Sequence, residues 1–251
     1  MTLALHQRGS GKAFVFQHGL CGDARQTFEA MPELSGWHLC TLDCAGHGGS
    51  PATPPFSIAR FADDVTALIE TLPGPVVLGG ISMGAAIATR IAVRRPDLVR
   101  GLVLVRPAWL CNAGPANMAP NAEVGHHIAV GAGRDGFESS PTARRLAQEA
   151  PDNLASLLGF FARQPLAVTA TLLTAIAADG PGISVTDLAG LNLATLVCGT
   201  SRDAVHPLAL AQELARLIPG ASLIELPPKG LDKPAHLAAL HAAIAAFLQE
   251  F

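Results

Sequence analysis

Val76-Val77-Leu78-Gly79-Gly80-Ile81-Ser82-Met83-Gly84-Ala85-Ala86 decides how the rest of the chain is read. An apolar run too short for a helix ends in Gly-Ile-Ser-Met-Gly and passes at once into an Ala-rich helical pattern. That spacing predicts a strand turning sharply into a helix, with Ser82 at the turn. Gly80 and Gly84 are the small residues that let two such elements approach closely. The turn pushes the serine hydroxyl out above the strand end, beside a helix N-terminus whose free N–H groups and positive dipole end suit an oxyanion. Ser82 is therefore the candidate nucleophile. A bare G-x-S-x-G arises by chance in a Gly-rich chain, but chance does not supply the strand before it and the helix after it.

Working outward, Thr2 to His6 reads as a short edge strand and Gln7 to Lys12 as a turn. Ala13 to Phe16 is the first strong strand and leads into Gln17-His18-Gly19-Leu20. Trp37 to Leu42 is the next and ends in Asp43-Cys44-Ala45-Gly46-His47-Gly48-Gly49-Ser50, a loop that Asp43 and His47 are expected to hold. Ser57 caps a helix whose apolar residues, Ile58, Phe61, Ala62, Val65, Leu68, Ile69 and Leu72, recur at the helical period until Pro73-Gly74 stops it. The helix from Met83 runs to Arg95, and Leu102 to Val105 is a further buried strand that Arg106 ends. From 107 to 192 Gly and Pro multiply and no strand pattern survives. Pro141, Pro151 and Pro165 are each spaced to open a helix as its first residue. Strands return at Thr195 to Cys198 and Ser222 to Leu226, followed by helices opening at Pro207 and Pro234.

The His18-Gly19 loop, the Asp43 to Ser50 loop and the Ser82 turn stand in the order seen in the α/β-hydrolase superfamily, which the chain resembles from about residue 12 to 106 and again from Thr195 to the end. The resemblance implies an α/β fold built on a mostly parallel, doubly wound sheet with an inserted helical cap. The core would be residues 1–106 and 193–251, and the cap 107–192. It implies Ser82 as nucleophile, Asp203 as the acid, and the backbone N–H groups of Leu20 and Met83 as oxyanion donors. His18 is a candidate at the substrate side of its loop, although a hydrogen bond pinning that loop is the favoured role for its imidazole.

In that superfamily the general base is a histidine just beyond the last strand. Here the loop reads Pro227-Pro228-Lys229-Gly230-Leu231-Asp232-Lys233-Pro234 and holds none. His236, in the first turn of the final helix, is the expected base, because it comes from the segment that carries the base in the family. His206 is the second choice. It precedes a helix-opening proline, so it is expected at the cap, and it lies only three residues from Asp203, a short span for reaching both the acid and the serine. Arg106, at the strand-end edge where open α/β sheets bind ligands, needs an anion. That anion is either a substrate carboxylate or an acidic side chain of the cap.

With 49% apolar and 15% charged residues among 251, the chain can bury a large core. A net charge of -3 with no Lys/Arg run argues against a nucleic-acid surface. The five cysteines are scattered without a C-x-x-C pair, which argues against a disulfide framework or zinc site, and His126-His127 is assigned no metal. No stretch is long and apolar enough to cross a bilayer, and no signal peptide is apparent, so a cytoplasmic protein is expected. The expected function is that of a cofactor-free serine hydrolase, a carboxylic ester hydrolase acting on a small ester, thioester or lactone through an acyl-enzyme. Its expected partner is a small-molecule substrate, and a homodimer is one option for its assembly. Two alternatives stay open: a ligand-binding homologue without turnover, motivated by the missing histidine, and a carbon-carbon bond hydrolase or lyase of the same fold.

Overall fold

The computed structural model describes residues 2–251. In chain order its elements are β1 (Leu5–Gly9), β2 (Lys12–Gln17), α1 (Ala24–Ala30), β3 (Trp37–Leu42), α2 (Ile58–Ile69), β4 (Val76–Ile81), α3 (Met83–Arg94) and β5 (Val99–Val105). Then come α4 (Ala119–Ala129), α5 (Gly133–Glu138), α6 (Pro141–Glu149), α7 (Pro151–Gly159), α8 (Leu166–Ala178) and α9 (Val185–Ala189). The chain ends with β6 (Ala194–Thr200), α10 (Leu208–Leu217), β7 (Ser222–Leu226) and α11 (Lys233–Leu248). No described helix is long and apolar enough to cross a membrane.

The strands form one seven-stranded sheet in the order β1-β3-β2-β4-β5-β6-β7. Only β1 is antiparallel to its neighbour. The alternation of side chains along each strand divides the core in two. Phe14, Phe16, Val77, Val103 and Val105 pack with Leu240, Ile244 and Phe247 of α11 on one face. Val15, Leu78, Leu102 and Leu104 pack with Phe61 of α2, Ile87 of α3 and Leu214 of α10 on the other. Strands covered on both faces must be apolar throughout, which is why β4 is buried at every position. This is the doubly wound α/β architecture expected from the pattern of short apolar runs and intervening helices.

β4 is the middle strand, so the turn into α3 sits at the centre of the sheet's carboxyl edge, the place where open α/β sheets bind ligands. A Cβ on Gly80 would lie 2.2 Å from the carbonyl carbon of Gly84, and one on Gly84 would lie 2.2 Å from the carbonyl oxygen of Gln17. No side chain fits either contact. Gly80→Ala is accordingly expected to lower the melting temperature by roughly 5 °C or more, read by circular dichroism. A melt within a degree of the parent would show that the two elements can separate freely.

The strand and helix expectations hold with local shifts. Ser57 caps α2 as expected, accepting from Arg60 N, and Pro141 and Pro151 open α6 and α7. Pro165 is the N-cap of α8 rather than its first residue. β1 covers Leu5–Gly9, so the stretch expected to turn between Gln7 and Lys12 is largely strand. Helices α4 and α5 were not expected. Near the end of the segment between β5 and β6, Arg90 and Arg94 of α3 donate to the carbonyls of Pro181 and Gly182, which ties the chain back to the helical layer beside the sheet.

Candidate active site

Ser82 has φ 57° and ψ -112°, in the left-handed range that a β-carbon disfavours. Two features hold it there. Its N–H donates to Val105 O on the neighbouring strand, and its carbonyl accepts from Ala85 N in the first turn of α3. The side chain caps nothing and is free for another partner. That partner is His206, whose Nε2 lies 2.8 Å from Ser82 Oγ.

His206 comes from the loop between β6 and α10, which also carries Asp203. Asp203 Oδ1 accepts both the backbone N–H of His206 at 2.9 Å and the imidazole Nδ1 at 3.0 Å. The carboxylate therefore closes a tight side-chain turn over its own loop, the local bond that aspartate favours. A carboxylate can only accept, so the Nδ1 hydrogen goes to Asp203 and Nε2 is left as an acceptor facing the serine hydroxyl. Pro207 is the N-cap of α10, so His206 stands one residue outside the helix with its ring unconstrained by capping. The short span from Asp203, which had counted against His206, is what aligns the two side chains.

Two further residues fix Asp203. Arg106 donates from Nε at 2.9 Å and from Nη2 to Asp203 Oδ2, and Asn153 of α7 donates from Nδ2 to Oδ1 at 2.9 Å. Asn153 Oδ1 in turn accepts from Ala204 N at 2.6 Å. Arg106 is 7% exposed, so the expectation that it meets a substrate carboxylate or an acidic residue of the cap is corrected: its guanidinium is committed to Asp203 in the sheet-end loop. A buried arginine takes the nearest fully desolvated anion with which it can pair in a fork.

Burial alone would raise the Asp203 carboxyl, but the His206 ring and the Arg106 guanidinium outweigh it and hold Asp203 well below the usual carboxylate range. For His206, burial lowers the pKa below the ordinary 6.5; Asp203 raises it in part, and Arg106 lowers it further. The imidazole is therefore neutral near pH 7 and able to accept a proton.

On the other side of Ser82 lies the loop after β2. Gln26 Oε1 accepts from Gly19 N at 2.7 Å, Gly22 N donates to Gly19 O at 3.0 Å, and Cys21 takes φ 59° to complete the turn. Leu20 N–H takes no part in these bonds, and Met83 N–H is the first of the four N–H groups that a helix leaves unpaired. His18 is fully buried, with Nδ1 2.8 Å from Gly19 O and Nε2 accepting from Cys44 N at 3.0 Å. The expectation that it stands at the substrate side is therefore corrected, and the loop-pinning role is the one its contacts fit. With both ring nitrogens used inside the protein it pins this loop to the one after β3, and burial keeps its pKa lowered. Asp43 anchors the same region by accepting from Ala24 N and Gly49 N, each at 2.8 Å.

His236, the expected base, is not brought to Ser82. It is 2% exposed, and its Nδ1 lies 2.8 Å from Pro227 O, a carbonyl that also accepts from Thr200 Oγ1 at 3.2 Å. It joins the start of α11 to the loop after β7. The reason is local: Asp232 caps α11 by accepting from Ala235 N, and the first turn so formed turns His236 back onto its own preceding loop.

Ser82, His206 and Arg106 share a cavity of about 180 Å3. The loop after β2 forms one wall, and Met118, Asn121, Ser156 and Phe160 from the segment between β5 and β6 form another. Lys229, from the loop after β7, also lines the cavity.

A family model described as alpha/beta hydrolase fold matches residues 12–127. The chain is 30% identical over 241 residues to the pimeloyl-[acyl-carrier protein] methyl ester esterase of Chromobacterium violaceum, a match that covers 90% of each protein. It is 34% identical over 122 residues to the sn-1-specific diacylglycerol lipase ABHD11 of Mus musculus, which covers 47% of this chain but only 38% of the lipase. Among solved structures it is similar to the enol-lactonase from Burkholderia xenovorans LB400, with a TM-score of 0.75 at 24% identity over 98% of this chain and 97% of that one. That likeness is one of fold. With a family model on the first half and an esterase matched along nearly its whole length, the chain belongs to the α/β-hydrolase fold family.

Proposed function

We propose that this hydrolase cleaves a small carboxylic ester, thioester or lactone through an acyl-enzyme on Ser82, with His206 as base and Asp203 as the acid that orients it. The observation that carries the reading is the chain of hydrogen bonds Ser82 Oγ, His206 Nε2, His206 Nδ1, Asp203, with links of 2.8 and 3.0 Å. His206 Nε2 takes the hydroxyl proton as Oγ attacks the substrate carbonyl, and Asp203 stabilises the imidazolium. The oxyanion is received by the N–H groups of Leu20 and Met83, each such donor typically contributing about 100-fold to 1000-fold in rate. The imidazolium returns the proton to the leaving group, and water then attacks the acyl-enzyme with the same histidine as base.

In this reading the helices of residues 107–192 form the cap over Ser82. The esterase and lipase named among its relatives support an ester-class carbonyl. A base within hydrogen-bond reach of Ser82 favours turnover over a purely ligand-binding role, whose motivation was the absence of such a base. All five cysteines are unpaired, which fits a reducing cytoplasm. Rapid mixing with a p-nitrophenyl ester tests the mechanism: a burst of one p-nitrophenol per protein, lost in Ser82→Ala, is expected. Linear release with no burst at any ester concentration, combined with failure to trap an acyl group on Ser82, would contradict it.

The lowered pKa of His206 sets the acid side of the pH profile. A base works only when neutral, so kcat/KM is expected to hold as pH falls past 6.5 and to decline only when pH reaches the lowered pKa of His206. Arg106 is one cause of the lowering, so Arg106→Met should shift this limb to higher pH while cutting kcat about tenfold through a looser Asp203. A limb that stays in place in folded Arg106→Met would show that Arg106 does not act on His206.

A further inference from the structure

The loop after β7, where the family carries its histidine, here supplies Lys229 to the wall of the cavity that holds Ser82. The loop is set tightly against α7: a Cβ on Gly230 would lie 2.7 Å from Asp152 Cβ. Lys229 is mostly buried, with 29% of its side chain exposed, and Asp152 Oδ2 at 3.7 Å from Nζ is too far for a hydrogen bond. Of the other charges that act on it, Arg106 and Asp203 neutralise one another, and Lys233 is paired with Glu29. Burial, and next the Arg106 guanidinium, push its pKa down, so the cation sits where an added anion would be stabilising.

A second, independent feature marks the same cavity as built for a polar ligand. Asn121 of α4 is 5% exposed and lines it, and its Oδ1 is buried with no hydrogen-bond partner. An amide oxygen left unpaired in a buried wall is costly.

Resting on the reading of Ser82 as nucleophile, we propose that the substrate is a half-ester or equivalent acyl compound that carries a free carboxylate, held by Lys229, with Asn121 meeting a second polar group of the same molecule. A purely aliphatic ester would leave both side chains unpaired on being bound. The carboxylate gives the ammonium the hydrogen-bonded partner that Asp152, at 3.7 Å, does not provide.

The test is equilibrium binding to Ser82→Ala protein by isothermal titration calorimetry, which needs no turnover. Monoethyl glutarate, with its carboxylate on the acyl side, and 3-acetoxypropanoate, with its carboxylate on the alcohol side, are each compared with the neutral primary amide of the same skeleton. At least one carboxylate is expected to bind about tenfold or more tightly than its amide, and Lys229→Met in the same background should erase the preference. A thermal melt of that double variant checks its folding; where it does not fold, the carboxylate-to-amide comparison decides alone. Equal affinities for carboxylate and amide, a preference that survives Lys229→Met, or no binding of either carboxylate overturns the proposal. A preference that is present while the parent enzyme hydrolyses neither ester supports the anion site and counts against the acyl-enzyme reading alone.

Discussion

Replacing His206 by alanine is expected to lower kcat/KM for a p-nitrophenyl ester by about 10,000-fold, while His236→Ala leaves chemistry at Ser82 in place and acts on stability. The contrast follows from what each ring touches. His206 Nε2 is bonded to Ser82 Oγ, whereas His236 Nδ1 is bonded to a backbone carbonyl in the loop before its own helix. Loss of the His236 ring leaves Pro227 O with Thr200 Oγ1 as its remaining partner and opens a gap at the foot of α11. The expected cost is about 1–3 kcal/mol, seen as a lower melting temperature with kcat unchanged in the surviving fold. Steady-state kinetics and melts on the two variants check this pair. A folded His206→Ala that retains activity, or a folded His236→Ala that loses it, would reverse the assignment of the base.

Ser82→Ala is expected to remove esterase activity to a similar extent, without loss of stability. The hydroxyl makes no capping bond, and the backbone at φ 57° is held by the Val105 and Ala85 contacts rather than by the side chain. Ser82→Gly goes further. Glycine adopts this backbone without a β-carbon clash, so the inactive variant should melt a few degrees above the parent, in line with roughly 1–2 kcal/mol of relieved strain. Activity that persists in either variant would mean that another group attacks the substrate.

Much of the fold was legible because its signals are local. Short apolar runs bounded by turns gave β2, β3, β4 and β7, and Ser57 with its periodic stripe gave α2. β1 drifted because it is an exposed antiparallel edge strand with no buried face to impose a pattern. α4 was missed because the Gly and Pro of this segment hide its pattern, and Gly125 lies inside the helix. In the folded chain it is a packing residue, where a Cβ would lie 2.7 Å from Thr174 Oγ1 and 3.0 Å from Ala170 O of α8. Such a glycine serves a contact between helices distant in sequence, which no local window contains.

The site was legible in the same measure. Ser82 could be named from its strand-to-helix motif, and Asp203 from the position the family resemblance implies. His206 carried a usable signal, Asp-Ala-Val-His before a helix-opening proline, in a chain whose final loop lacks a histidine. Proximity in sequence was weighed as an obstacle, whereas an aspartate that bonds the backbone N–H three residues on makes it an advantage. Arg106 was recognised as a buried cation in need of an anion. Its partner could not be read, because the Asp203 loop reaches it only through the pairing of β5 with β6. Asn153, which ties α7 to the Asp203 loop, gave no signal at all in a segment rich in polar residues.

The central claim, that the base stands beside the acid on the loop after β6, is tested most directly by the rate at which a fluorophosphonate labels Ser82. The parent protein and His236→Ala should both be phosphonylated at Ser82, located by peptide mapping, while folded His206→Ala should react about 1000-fold more slowly. Labelling of His206→Ala at the parent rate, or failure of folded His236→Ala to label, would contradict it.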